Sequence, residues 1–294
     1  MIKAVRSFNR AVTQRVGALN EHYLGRSRPL GEARVLWEIG ERGCDVRLLR
    51  ARLDLDSGYL SRLLRSLEGA GLTALTPSDD DRRVRNVRLT KRGGAELAML
   101  DQRSDALAKS MLSTLAPAQQ ERLVTAMAEV DRLLTASAVE ISQVDPDQSD
   151  ARLCLSAYYA ELDRRFPAGF DAATGDSLEP GEMRPPAGLL LVATLGKTAV
   201  GCGVLRFHSE GWAEIKRLWV DGSVRGLGLG RRLLGELETR AAQLGSHTAR
   251  LDTNRSLHEA IAMYRQTGYS EVVAFNDNPY ADYWLEKHLK SPSE

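Results

Sequence analysis

Apolar positions repeat with helical spacing through the first part of the chain and then change to strand-like runs. Between residues 30 and 97 the pattern predicts three helices followed by a hairpin. The third helix is the clearest, because Asp56 is a good N-cap and four leucines recur at i, i+3, i+4 and i+7. The predicted elements are helices Gly31–Gly40, Val46–Leu53 and Asp56–Gly69 and strands Leu72–Thr76 and Val84–Thr90.

The face of the third helix opposite the leucines is polar and basic. A second helix after a short turn, with such an exposed face, is typical of a reader of the DNA major groove. The candidate DNA contacts on this face are Ser57, Tyr59, Ser61, Arg62 and Arg65.

The hairpin that follows carries three aspartates and then a run of basic residues. The segment 80–93 resembles the wing of MarR-family regulators, and Asp81 and Arg83 match the Asp-x-Arg positions of that family. The resemblance implies that arginines of the wing enter the minor groove of double-stranded DNA. A solvated hairpin, or a winged fold kept only for dimerisation, remains open. The implied wing contacts are Arg82, Arg83 and Arg85.

The MarR resemblance covers about residues 1–140 and includes the flanking amphipathic segments Ile2–Tyr23, Gly94–Ala108 and Pro117–Thr135. In relatives these terminal helices intertwine into a two-fold dimer that spaces two recognition helices about one DNA turn, roughly 34 Å, apart. We therefore expect a homodimer formed through the N-terminal domain.

The second half of the chain contains a glycine-rich turn between a strand and a helix. Arg225, Gly228 and Gly230 form an Arg-x-x-Gly-x-Gly pattern, in which backbone N–H groups can approach an anion closely at a helix start. Arg231 and Arg232 follow, so the turn is not a Walker loop, and its glycine spacing does not fit a dinucleotide fingerprint. The surrounding pattern predicts strands Ala199–Phe207, Ala213–Val220 and His247–Asp252 and helices Arg231–Gln243 and Leu257–Gln266.

The block 189–289 resembles the GNAT superfamily of N-acetyltransferases, both in this loop and in the helix-end run 262–270. The resemblance implies that acetyl-CoA is the donor, that an amine is the acceptor, and that catalysis requires no metal. Glu214 is the implied general base and Tyr264 the implied acid for the departing thiolate, although each fits a purely structural role as well. Asn254 is equally a helix N-cap. The implied acetyl-CoA contacts are Leu218, Trp219, Val220, Arg225, Gly226, Leu227, Gly228, Leu229, Gly230, Arg231 and Asn254.

Length and composition fit two domains. The chain has 294 residues, of which 43% are hydrophobic, so two cores can form. Residues 141–150 are polar and contain a proline, which predicts a linker between a winged-helix domain (1–140) and an acetyltransferase domain (151–294). The expected fold class is therefore a mainly α winged helix followed by an α/β fold with a mixed central sheet.

The net charge and the number of cysteines restrict the possible partners and sites of the protein. The net charge of +1 makes any nucleic-acid affinity local, and three scattered cysteines indicate neither a disulfide framework nor a zinc site. No run approaches the roughly 20 apolar residues of a membrane span, so we expect a cytoplasmic protein without membrane contact. The expected function is a DNA-binding regulator that is also an N-acetyltransferase. An acetyltransferase whose winged helix no longer binds DNA, or a regulator whose second domain only senses a ligand, remains possible.

Overall fold

The structure is a computed structural model that describes residues 1–19, 23–25, 28–77, 85–175 and 178–290. It divides into two compact units, Met1–Ala126 and Met127–Glu294. The division falls within one long helix, Pro117–Ser137.

The N-terminal unit is helical with a small antiparallel sheet of order β1-β3-β2. A short 3-10 turn, Tyr23–Gly25, lies between its first two α-helices. Its elements are α1 (Ile2–Arg15), α2 (Leu30–Ile39), β1 (Cys44–Asp45), α3 (Val46–Leu53), α4 (Ser57–Gly69), β2 (Thr73–Pro77), β3 (Arg85–Leu89), α5 (Lys91–Ser113) and the first part of α6 (Pro117–Ser137), which continues into the second unit.

Helix α4 forms for the reasons that its sequence indicates. The Asp56 carboxylate accepts a hydrogen bond from the Tyr59 backbone N–H at 2.8 Å and caps the helix. The leucine stripe of α4 is buried in the core of this unit, which also contains Leu36, Leu49 and Leu100. The opposite face of the helix is consequently left at the surface.

Strands β2 and β3 form the hairpin predicted for the wing, with Thr73 opposite Leu89 and Pro77 opposite Arg85. The predicted DNA contacts Arg82 and Arg83, and Asp81 beside them, lie outside the described residues. Arg85 is described and opens β3 as an exposed residue.

The long helices differ from their predicted bounds. Helix α1 ends at Arg15 rather than Tyr23. Helix α5 begins at Lys91 rather than Gly94, because the Thr90 hydroxyl caps it by accepting a bond from the Gly93 N–H at 3.0 Å. A Cβ on Gly93 would lie 1.9 Å from the Leu72 carbonyl oxygen, so the glycine allows the helix start to pack on the end of α4 and the beginning of β2.

The second unit is built on a seven-stranded mixed sheet of order β4-β5-β6-β7-β8-β10-β9, in which only the β7–β8 pair is parallel among the described strands. The predicted fold class, a winged helix followed by an α/β fold with a mixed sheet, is confirmed. The elements are β4 (Val139–Val144), α7 (Ser149–Arg165), α8 (Ala172–Gly175), β5 (Gly188–Leu195), β6 (Thr198–Phe207), β7 (Trp212–Val220), α9 (Leu229–Gln243), β8 (Thr248–Thr253), α10 (His258–Gln266), β9 (Ser270–Glu271) and β10 (Tyr283–His288).

The segment 141–150 is not a simple linker. Val139–Val144 form the edge strand β4, which pairs antiparallel with β5 from Val139 opposite Leu195 to Val144 opposite Leu190. Helix α7 then begins at Ser149. The strand was missed because its central residues are polar and exposed on one face, which the composition of the segment does not distinguish from a loop.

Candidate active site

The parallel pair β7–β8 opens partway along its length. Pairing covers Trp212 to Glu214 on β7, opposite Thr248 to Arg250 on β8. Strand β7 continues to Val220, and its register with β6 shifts between Cys202 and Val204. Arg217 lies in this irregular stretch with a φ of 53°, a bulge that turns β7 away from β8. The opening exposes an edge of β7 to which an extended molecule can pair.

The loop after β7 leads directly into a helix start. Gly226 and Gly228 have φ values of 79° and 77°, which favour glycine, and Gly228 is the N-cap of α9. A Cβ on Gly230 would lie 3.3 Å from the Met263 sulfur, so this glycine permits close packing of α9 on α10. The first backbone N–H groups of α9 lack intrahelical partners and suit a diphosphate.

A cavity of about 520 Å³ lies beside this loop and the open edge of β7. Most of the predicted acetyl-CoA contacts line it, and so does the predicted acid Tyr264. Those contacts are Leu218, Trp219, Val220, Arg225, Gly226, Gly228, Leu229, Gly230 and Arg231.

Two predicted contacts are located elsewhere. Leu227 is half-buried and packs against the core of the sheet. Asn254 lines a smaller cavity of about 80 Å³, where its amide donates to the Tyr280 carbonyl at 2.7 Å and accepts from the Ser256 N–H at 2.9 Å. The N-cap of α10 is Leu257, so Asn254 orders the turn before this helix and does not cap it.

Glu161 on α7 is a cavity residue that sequence reasoning missed. Its carboxylate accepts hydrogen bonds from the Trp219 indole at 2.9 Å and from the Arg225 guanidinium. Burial raises the pKa of Glu161, but the bonds from Arg225 and Trp219 outweigh burial, so this pKa lies below its ordinary value. Arg225 also donates to the Val220 carbonyl at 3.1 Å, which fixes the beginning of the loop to the end of β7.

Arg165 extends this ion-pair network from α7 to α10. Its guanidinium lies 3.3 Å from Glu161, 2.6 Å from Glu259 and 2.9 Å from the Ser256 carbonyl. The wall of the cavity opposite the loop is therefore held by protein ion pairs. No short sequence pattern links Glu161 to a loop more than 60 positions later.

Tyr264 lies at the boundary between the two cavities and lines both. Its side chain is buried, and burial together with the charge of Asp252 raises the pKa of the phenol. A phenol in this state keeps its proton at neutral pH, which is the form that can protonate a leaving thiolate.

Glu214 is buried at the last paired position of β7 and lines neither of these cavities. Its carboxylate is 3.1 Å from the Lys216 ammonium, 3.2 Å from the His208 imidazole and 3.3 Å from the Asn276 amide. Burial raises the pKa of Glu214, but the charge of Lys216 and the hydrogen bonds from Lys216 and His208 lower it by more, so this pKa lies below its ordinary value. The group is an ionised carboxylate in a network.

The predicted DNA-reading face of α4 is exposed at Ser57, Tyr59, Ser61, Arg62 and Arg65. The Arg62 guanidinium lies 5.6 Å from the centre of the Tyr59 ring, and Arg65 donates to the Ser61 carbonyl at 3.3 Å. Within the described part of the chain, neither arginine is paired with a carboxylate. Both guanidinium groups are thus available to an external anion.

Among the described residues, no group of three or more His, Cys, Asp or Glu side chains is arranged to hold a metal ion. None of the described helices combines the length and apolar character needed to cross a bilayer.

Comparisons with known proteins agree with both halves of this architecture. The family described as acetyltransferase (GNAT) matches residues 155–269, and the MarR family matches residues 24–84. An IAA acetyltransferase of Azospirillum brasilense is 32% identical over 45% of this chain and 86% of its own length. An uncharacterised N-acetyltransferase of Schizosaccharomyces pombe is 32% identical over 50% of this chain and 88% of its own length.

A solved structure of a GNAT-family acetyltransferase from Staphylococcus aureus Mu50 is 16% identical, with a TM-score of 0.45 over 52% of this chain and all (100%) of that one. On the sequence matches, the chain belongs to the GNAT family of acetyltransferases and carries a MarR-family segment ahead of the acetyltransferase part. It is an N-acetyltransferase that uses acetyl-CoA, as the sequence predicts.

Proposed function

We propose that the protein acts both as a DNA-binding transcriptional regulator and as an acetyltransferase of an amine, and that it works as a homodimer. The proposed regulatory domain covers residues 1–138 and the proposed transfer domain begins with β4 at Val139. The transfer domain was predicted to begin at residue 151. We place its start at Val139 instead, because β4 pairs with β5 in the sheet of that domain.

The single observation that carries the enzymatic part is the opening of β7 from β8 into a glycine-rich helix start. Acetyl-CoA supplies an activated acetyl group when bound there. The edge of β7 from Leu218 to Val220 is the proposed contact for its extended arm, and the N–H groups at the start of α9, with Arg231, are the proposed contacts for its diphosphate. Arg225, held by Glu161, supports the loop in this arrangement.

Tyr264 is the proposed acid, because it is buried, protonated and shared by the two cavities. Glu214 is the proposed base. Since Glu214 lines neither cavity, a proton reaches it only through its hydrogen-bond partners, of which Lys216 lines the smaller cavity. An amine must lose its proton before attack, and in this relay Lys216 passes a proton to Glu214 and takes up the proton of the amine.

The proposed DNA contacts are the exposed face of α4 and the wing. Arg62, Arg65 and Arg85 are exposed, and the core-facing leucines hold α4 rigidly behind them. This arrangement supports insertion of α4 into the major groove. Arg82 and Arg83 remain predicted wing contacts on sequence alone.

The proposed dimer uses the apolar face of α1. Ile2, Val5, Phe8 and Val12 recur at helical spacing on this helix and are 78%, 58%, 48% and 40% exposed. An exposed apolar stripe of this length supports contact with a second copy, as the MarR resemblance implies. Light scattering coupled to size exclusion should give twice the monomer mass of 32.4 kDa.

A DNA-binding titration tests the regulatory part. The purified protein is titrated with its own upstream region and with random DNA of equal length, at two salt concentrations, with and without acetyl-CoA. We expect tighter and salt-steep binding to the upstream region. Equal, weak binding to both DNAs would leave a dimeric acetyltransferase with a winged helix that does not read DNA. An affinity change with acetyl-CoA would show that the two sites are coupled.

A further inference from the structure

The smaller cavity adjoins the larger one and offers a second binding chamber. Six residues line both cavities, and they include Leu218 on β7 and Tyr264 on α10. A group bound in the smaller cavity therefore lies next to the proposed acid and beside the open edge of β7. This is the position that the acceptor requires if the larger cavity holds the donor.

The polar floor of the smaller cavity is centred on Asp252, the residue before the end of β8. Its two carboxylate oxygens accept hydrogen bonds from the Asn276 amide at 3.0 Å and from the Asn278 amide at 2.6 Å. The side chain is only 9% exposed. Two neutral amides thus fix the orientation of the carboxylate and leave its charge in place.

Cations near this floor are already held by other groups. The Lys216 ammonium lies 3.1 Å from Glu214 and 3.9 Å from Asp252, so a single ammonium is shared by two carboxylates. Arg217 also lines the cavity and donates to the Leu178 carbonyl at 3.0 Å. Glu214, Asp252 and Lys216 together carry a formal charge of −1, so the part of the floor beside Asp252 favours a cation over a carboxylate.

The opposite wall of the cavity is aromatic. The Phe170 ring lies 4.8 Å from the Tyr280 ring and 5.8 Å from the Phe166 ring, centre to centre. All three residues line the cavity. The Tyr280 hydroxyl accepts a bond from the Asp171 N–H at 3.0 Å, which fixes the ring that belongs to the loop before β10. Such a wall favours an apolar or aromatic group on the ligand.

We propose that Asp252 binds and orients the protonated acceptor, and that the acceptor is a primary amine with an aromatic or apolar carbon skeleton and no carboxylate beside the amine. Lys216 passes one of its protons to Glu214 and takes one from the bound ammonium, which leaves a neutral amine. The neutral amine attacks the thioester carbon, the C–S bond breaks, and Tyr264 protonates the departing thiolate. This inference rests on the proposed transfer site and names the substrate class of that site. Asp252 is the carboxylate that contacts the amine, whereas Glu214 lies behind it and shares Lys216 and Asn276 with it.

Three amines test the substrate class on the full-length protein. Release of CoA is followed by thiol titration with 2-phenylethylamine, ethanolamine and phenylalanine as acceptors. We expect kcat/KM for 2-phenylethylamine to exceed that for ethanolamine by about tenfold, as ring packing suggests, and phenylalanine to react more slowly than 2-phenylethylamine. Equal values for the three amines, or a preference for phenylalanine, would overturn the inference.

Two variants test the residues. D252N should lower kcat/KM for 2-phenylethylamine by about 30-fold or more, because the ammonium loses its charged partner, while the acetyl-CoA dissociation constant changes less than twofold. D131N, at an exposed position of α6, is the matched control. F170A should reduce the preference for 2-phenylethylamine over ethanolamine, and it keeps the test valid if D252N does not fold. Unchanged kinetics in D252N, or an unchanged preference in F170A, would contradict the proposal.

The outcomes also separate this inference from the proposed function. If calorimetry shows that acetyl-CoA binds but 2-phenylethylamine is not acetylated, the acceptor class is wrong and the donor site stands. If acetyl-CoA does not bind, the proposed transfer site itself is wrong, and the assignment of Asp252 is overturned with it.

Discussion

The arginines beside the large cavity and those on the exposed face of α4 have opposite surroundings. Arg225 and Arg165 are held by Glu161, and Arg165 also by Glu259. Arg62 and Arg65 are exposed, and no carboxylate pairs with either within the described residues. Internal pairing fixes the geometry of a site before its ligand arrives, whereas unpaired surface cations are free to displace counterions from a polyanion.

This contrast suggests that salt affects the two sites differently. Exposed charges are screened within about 10 Å at 0.1 M salt, and DNA binding depends on counterion release. The proposed acetyl-CoA site combines backbone N–H groups with partly buried ion pairs, so its affinity should be less sensitive to salt.

The largest effect is expected from Tyr264→Phe. Removal of the acidic proton should lower kcat by about 100-fold or more, while acetyl-CoA affinity and DNA affinity stay close to wild type. Steady-state kinetics and calorimetry measure these quantities. Tyr283→Phe, a tyrosine that lines neither cavity, is the control. A kcat within twofold of wild type would remove Tyr264 from the acid role.

A smaller effect, a loss of DNA affinity, is expected for the double variant Arg62→Ala/Arg65→Ala. Loss of two groove or phosphate contacts should weaken specific DNA binding by about 30-fold and reduce the salt slope by about 2. Acetyl transfer should not change. Fluorescence anisotropy at several salt concentrations measures the slope, and Arg132→Ala, which removes a surface arginine paired with Glu129, is the control. An unchanged slope would assign α4 to a structural role.

Glu161→Gln tests the internally paired arginines. The substitution removes the charge that holds Arg225 and Arg165 but nearly preserves the volume of the side chain. We expect the acetyl-CoA dissociation constant to rise by about tenfold, the usual scale for one charge-assisted hydrogen bond, with DNA binding unchanged. Tighter binding of acetyl-CoA would instead mean that Glu161 competes with the diphosphate for Arg225.

The smallest effect concerns pH and Glu214. The pKa of Glu214 is below its ordinary value of 4.5, so its ionised form stabilises the folded state above that pH, and the stabilisation is lost as pH falls through the lower folded-state pKa. Glu214→Gln should therefore lower the Tm at pH 7 by about 2–4 °C. The Tm difference from wild type should shrink as pH falls below 4.5. A difference that is constant between pH 7 and pH 3 would contradict the assigned ionisation.

Local sequence patterns predicted those elements whose determining residues are neighbours in the chain. The cap and leucine stripe of α4 and the glycines of the loop before α9 are set by neighbouring residues, so sequence reasoning found them. Glu161 and Asp252 acquire their positions only when distant elements meet, Glu161 through Trp219 and Arg225 and Asp252 through Asn276 and Asn278. Their own sequence contexts resemble an ordinary helix surface and an ordinary strand end.

The edge strand β4 has a practical consequence for dividing the protein. Cleavage or truncation at residue 151 removes β4 and leaves β5, whose first six residues are buried, as an exposed edge of the sheet. An apolar strand with unpaired backbone groups is a template for pairing with another chain. A fragment that starts at residue 151 should therefore aggregate, whereas one that keeps Val139 should stay dispersed.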